Sequence, residues 1–168
     1  MNLKEDLEKE LEDTHQRFLL LLDSIPETAY SLPTDNPPWT VGDVLYHITL
    51  GPRALAFEIW MIVHLRSIFQ FGMNHFPSKL FNLVNARFAK RGNRITRQRL
   101  TDAYRKAHAV IRSRLKRTKD ADFSKSVNYP VDFVSELAGK VSVERLFRYV
   151  KGHFDVHEVG ECLTAKTE

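Results

Sequence analysis

The run G-H-F-D-V-H-E-V-G-E, from Gly152 to Glu161, carries the residues best suited to chemistry. His153 and His157 are four positions apart, a spacing that puts two side chains on one face of an α-helix, one turn above the other. Two imidazoles so placed can grip a single transition-metal ion. Val143, Leu146, Phe147, Val150 and Phe154 recur at helical spacing through the same segment. The histidines continue that apolar stripe, which predicts that they point toward a core, and Glu161 follows one turn later. An inward histidine is also a common hydrogen-bonded core residue, and a pair at this spacing is no rarity in a chain with 7 histidines. A metal site therefore needs a third ligand from elsewhere.

Four amphipathic segments are available to position such a site. The first helix is predicted over residues 3–24, with Leu7, Leu11, Phe18, Leu19 and Leu22 inward and acids in its first turns, where the helix dipole favours them. Pro26, Pro33, Pro37 and Pro38 then punctuate a loop with no strand pattern. Thr40 is a good cap for a second helix, with Asp43 at its third position. Val41, Leu45, Ile48, Pro52, Leu55, Ile59 and Ile62 form its seam. Proline lacks the amide donor and crowds the preceding turn, so a kink is expected at Pro52, with the helix continuing to about residue 69. His47 lies two turns in, beside the seam, and is equally readable as a ligand or as a half-exposed helical histidine.

A short helix is expected over residues 78–89 and a third long one over 96–118, its inner stripe Leu100, Tyr104, Ala107, Ile111 and Leu115. Residues 119–140 are irregular, with a helical turn near 131–138 ended by Gly139. Ser142 caps a fourth helix running to about residue 163. Four such helices without strand signals predict an all-α, four-helix bundle, a single domain over residues 1–168. The connection of about 25 residues between the second and third helices permits them to run parallel.

Composition excludes several classes. A 43% hydrophobic, 27% charged balance is that of a globular chain able to bury a core. The single cysteine, Cys162, forbids an internal disulfide and reads as a packed residue. The N-terminus has no apolar signal segment, and the apolar run 54–65 contains Glu58 and His64; a cytoplasmic protein with no membrane span is expected. The net charge of +4 is concentrated between Arg87 and Lys119, where Asp102 is the one acid. That segment invites an alternative reading as a non-enzymatic bundle binding nucleic acid or a protein partner. Few aromatics interleave it, so a solvated basic face is the default. His108 reads as a packing or surface histidine, Asp155 and Glu158 as solvated, and His15, His64 and His75 have no evident partner. Glu58 is about three turns from His47, too far to share an ion with it.

The segment P-W-T-V-G-D-V-L-Y-H, from Pro38 to His47, resembles the start of the second helix in the DinB/YfiT-like superfamily, where a Trp and a Ser or Thr precede a helix whose His comes two turns in. The segment from His153 to Glu161 resembles that family's last motif, two His at i,i+4 followed by Gly and Gln; Gly160 matches, and Glu161 stands in place of the Gln. The resemblance implies an up-down-down-up bundle and a divalent ion, nickel or zinc, held by His47, His153 and His157. It implies metal-dependent hydrolysis, or transfer dependent on a low-molecular-weight thiol, acting on a small-molecule substrate. Glu161 and Asp43 are the candidates to support the ligands from behind. A homodimer is compatible with a bundle of this size, and nucleic acid is not the expected partner.

Overall fold

The computed structural model describes residues 2–35, 39–75, 87, 95–132 and 134–160. Helix α1 (Leu3–Ser24) starts at Asn2, whose side chain accepts from Lys4 N while Glu5 reaches back to the Asn2 amide, a reciprocal cap that satisfies two end donors. After a 3-10 turn (Glu27–Ser31), an isolated bridge between Pro33 and Thr40 closes the loop. Helix α2 (Val41–His75) opens with another reciprocal cap: Asp43 N donates to Thr40 Oγ1 at 3.2 Å, and Thr40 N donates to Asp43 Oδ2 at 3.1 Å. Helix α3 (Arg97–Arg117) is capped by Thr96, and helix α4 (Val143–Gly160) by Ser142 Oγ, which accepts from Arg145 N at 3.2 Å.

Side-chain pairs fix the directions of the helices. Arg112 pairs with Glu8 while His108 stacks on His15, so α3 runs antiparallel to α1. Arg148 pairs with Asp6 and Glu10 while Arg17 pairs with Asp155, so α4 runs parallel to α1. Val44 and Leu45 share one core cluster with Leu100 near the start of α3, and Ile59 and Ile62 share the other with Ile111 and Leu115 near its end, so α2 and α3 run parallel. The order is up-down-down-up, as the long second connection permits. One cluster, around Leu11, Ile59, Ile111 and Phe147, fills one end of the bundle; the other, around Phe18, Ile48, Tyr104 and Phe154, fills the opposite end.

Three expectations are corrected. A two-stranded antiparallel sheet, β1 (Ser126–Tyr129) with β2 (Gly139–Ser142), precedes α4, paired Val127 to Val141 and Tyr129 to Gly139. Each strand is only 4 residues long, too short for a period-2 pattern to stand out. The edge of β1 is satisfied by a side chain: Asn128 N donates to Gln70 Oε1 at 2.7 Å, and Gln70 Nε2 donates to Asn128 O at 3.0 Å. Gly139, at φ +84°, takes the left-handed turn into β2. Second, α2 extends to His75 rather than residue 69, and the departure from helical dihedrals falls at Leu65 (φ −134°, ψ 39°), with Pro52 buried inside the helix. Third, Asp155 is paired with Arg17 and Lys151. By length and composition α2 is apolar enough to cross a membrane. One face of it is core, with Ile48, Ile59 and Ile62 buried, while Phe57, Ile68 and Phe71 are exposed. The expected helix over 78–89, together with Glu161 and Cys162, lies outside the described residues.

The sheet is tied to α2 at one more point, where the Tyr129 hydroxyl donates to Glu58 Oε2 at 2.5 Å. Desolvation pushes the Glu58 carboxyl above its ordinary range, against the pull of that hydrogen bond. A carboxyl raised in the folded state opposes folding once it ionises, so its unfavourable contribution is absent below the unfolded value and grows as pH rises through the folded one. Glu58→Gln keeps an acceptor for Tyr129 without the charge. Its melting temperature relative to wild type, followed by circular dichroism, is expected to rise between pH 4 and pH 8; a constant difference across that range would contradict this assignment.

Candidate metal centre

Helix α4 is held at a fixed rotation about its own axis. Phe154 is buried edge-on against Phe18 of α1, and the Arg17 guanidinium lies 4.8 Å from the Phe154 ring centre. Next to it, Asp155 accepts from Arg17 at 2.7 Å. These contacts clamp one flank of α4 to α1, and the flank bearing His153 and His157 is thereby turned toward α2.

Helix α2 presents His47 there, 8% exposed and met edge-on by Trp39. Nε2 of His153 lies 3.0 Å from Nε2 of His47, across 106 positions of sequence. His157 completes the group: one ring nitrogen from each of the three lies within 4.8 Å of the others. The ring centres form a near-equilateral triangle, 4.9 Å from His47 to His153 and 4.7 Å from His157 to each.

This triangle can be compared with a tripod on one ion. Bonds of about 2.1 Å put the nitrogens about 3.0–3.4 Å apart and the ring centres about 4.5–5.2 Å apart for angles of about 90–110°. The three observed centre separations fall in that interval. Burial, and after it the neighbouring His47 and His157, push the His153 imidazole well below the usual histidine range. Neutral imidazole is the form that ligates a metal.

One residue of this site carried no chemical signal in the sequence. Gly51 is one turn after His47 on α2, and a Cβ built there would stand 2.7 Å from His153 Nδ1. The absent side chain at position 51 is what lets the His153 ring lie against the α2 backbone. A glycine inside an amphipathic helix is an unspecific cue, and only its distance of four from His47 hinted at a role. Tyr149, one turn before His153, forms a further aromatic neighbour at 6.1 Å.

The other named residues fall as follows. Asp43 serves the α2 cap through Oδ2, while its Oδ1 is buried without a hydrogen-bond partner among the described residues, one turn ahead of His47. Glu161 is outside the described residues. His108 is buried on α3 against His15, and burial first, then His15, push it down to about 4. Within the basic segment, the Arg97 guanidinium donates to the Ile25 carbonyl while its backbone N donates to Glu27, and Arg112 is paired with Glu8 and Glu12. Arg99, Arg105, Lys106, Lys116 and Arg117 stay exposed.

Comparison with known proteins follows the same lines. Two solved structures share the fold: the mycothiol-dependent maleylpyruvate isomerase (TM-score 0.68, 11% identity) and a histidine-to-alanine mutant of it (TM-score 0.69, 10% identity). Each alignment covers 96% of this chain and 61% of that protein, so this chain spans about three fifths of their length. No curated protein matches the sequence. Residues 10–157 match the family described as the DinB superfamily. With most of its length covered by that match, from α1 through His157, this chain belongs to the DinB superfamily.

Proposed function

We propose that this protein is a metalloprotein that binds one divalent ion, nickel or zinc, on His47, His153 and His157 and acts on a small molecule through it. The observation that carries this reading is the near-equilateral triangle of imidazoles, closed by the 3.0 Å approach of His47 and His153. Three neutral ligands leave the ion its full charge and at least one open position, the ligand count of a catalytic rather than a structural site. Such an ion supplies a Lewis acid that lowers the pKa of a bound water or thiol.

The chain's own residues hold and shape the site. His47 and His153 are fixed by opposite helices, so the site depends on the packing of α2 on α4. Trp39 and Tyr149 border it with aromatic surface. Asp43, and Glu161 beyond it in sequence, are the carboxylates suited to orient the ligands from behind. Between hydrolysis and thiol-dependent transfer, the second is favoured, because the structural neighbours are a thiol-dependent isomerase and its mutant. A low-molecular-weight thiol would then sit on the open position as thiolate.

Elemental analysis of tag-free protein never exposed to chelator is expected to find at least one nickel or zinc ion per chain. His47→Ala, His153→Ala and His157→Ala should each greatly reduce it, and unchanged metal in all three would remove the proposal. Cobalt substitution followed by addition of a small thiol should produce a thiolate-to-metal charge-transfer band; water-activating chemistry without thiol binding would leave the spectrum without it. Gly51→Ala provides a separate check on the geometry. Alanine is better than glycine in a helix by about 1 kcal/mol, so the fold should hold. The displaced His153 ring should weaken metal affinity by about 10–100-fold, as loss of support behind a ligand does. Wild-type affinity in Gly51→Ala would show that His153 does not ligate from where it stands.

A further inference from the structure

A second group of ligand-type side chains lies between α1 and α3. His15 and Glu12 project from α1, and His108 from α3. His15 Nδ1 is 3.6 Å from Glu12 Oε1, His108 Nε2 is 3.8 Å from Glu12 Oε2, and one ligand atom from each of the three lies within 4.8 Å of the others. The two rings face each other with centres 4.2 Å apart. The group is separate from the three-histidine site, because Tyr104, Phe18 and Phe154 stand in contact succession between them.

The hydrogen bonding of this group is incomplete. His108 is 4% exposed, its ring packed face to face on that of His15. Among the described residues its Nε2 is buried without a hydrogen-bond partner, and so are both ring nitrogens of His15. Nε2 of His108 faces a carboxylate oxygen of Glu12 at 3.8 Å, beyond hydrogen-bond distance. Buried polar atoms without partners are rare enough to call for an explanation. Glu12 has partners of its own: Gln16 Nε2 donates to Oε1 at 2.9 Å, and Arg112, bound to Glu8 through Nε and Nη2, reaches Oε2 at 3.6 Å through Nη1.

We infer that Glu12, His15 and His108 form a second divalent transition-metal site, which joins α1 to α3. Two imidazoles and one carboxylate suit zinc, with the open position toward solvent on the Glu12 side. The donors stand wider than the roughly 3.0–3.4 Å that ligands of one ion subtend. To close on an ion, Glu12, with its side chain 42% exposed, releases the Gln16 amide that donates to its Oε1 at 2.9 Å, and His15, on the same helix, turns its ring out of the stack. Because the ligands come from two helices, an ion here stabilises the packed state over the unfolded one.

The test counts zinc per chain after equilibrium dialysis of the tag-free, full-length protein, with thermal unfolding in parallel. Wild type is expected to hold two ions, His108→Gln one, and His153→Ala the one that His108→Gln loses. Added zinc should raise the melting temperature of His153→Ala, and this rise should disappear when His108→Gln is combined with it. Glu12→Gln alters an exposed side chain and leaves the buried rings in place; it should weaken the second site at least tenfold, which serves if His108→Gln fails to fold. Two ions retained in both His108→Gln and Glu12→Gln would overturn the inference, as would a single ion in wild type that only His153→Ala removes. A single ion removed by His108→Gln and kept by His153→Ala would support it while removing the three-histidine reading, so the two fail separately.

Discussion

The structure depends most on the contact that fixes the rotation of α4. Phe154 enters the core against Phe18, and Asp155, its neighbour in sequence, is held by Arg17 on the outside of the same helix pair. An apolar contact and an ion pair on adjacent residues leave the helix little freedom to roll. A roll of even one residue, about 100°, would carry His153 and His157 off the α2 face. The ion pair is half-exposed and contributes little energy by itself. Its value is geometric, because it sits beside a buried ring that supplies most of the stability.

Opposite this clamp, α2 contributes a histidine and a space. His47 is buried at the second turn of a helix whose first turn is locked by the Thr40–Asp43 cap, so its height along the bundle is set from nearby. Gly51, one turn on, supplies room for a ring arriving from another helix. The up-down-down-up order is what makes both halves available. It places α4 against α2, antiparallel to it, so that the start of one meets the end of the other. The two histidine groups are kept apart by the aromatic stack of Tyr104, Phe18 and Phe154, which occupies the same end of the core.

The other end of the bundle is finished differently. A short β pair packs there, its outer edge closed by Gln70 and its inner face by Tyr129 reaching Glu58. A side-chain amide that pairs with both the N–H and the C=O of one strand residue does the work of a further strand without exposing a new edge. The break in α2 at Leu65 precedes the turn of helix that carries Gln70 to this position.

Spacing along single helices was enough for the four long helices and the pair His153–His157, and residue type for the caps at Thr40 and Ser142. The long connection permitted parallel second and third helices, and the resemblance of two short motifs implied the bundle order and joined His47 to the distant pair. It took the packed helices to show that His47 and His153 meet at 3.0 Å, that Gly51 makes this meeting fit, and that His15, which had no evident partner, stacks on His108. Tertiary packing also decided the β pair and the break at Leu65, which local propensity did not mark. The physical reason is common to all of these: each depends on what another helix places within a few ångströms, and a one-dimensional period records which way a side chain faces but not what it faces.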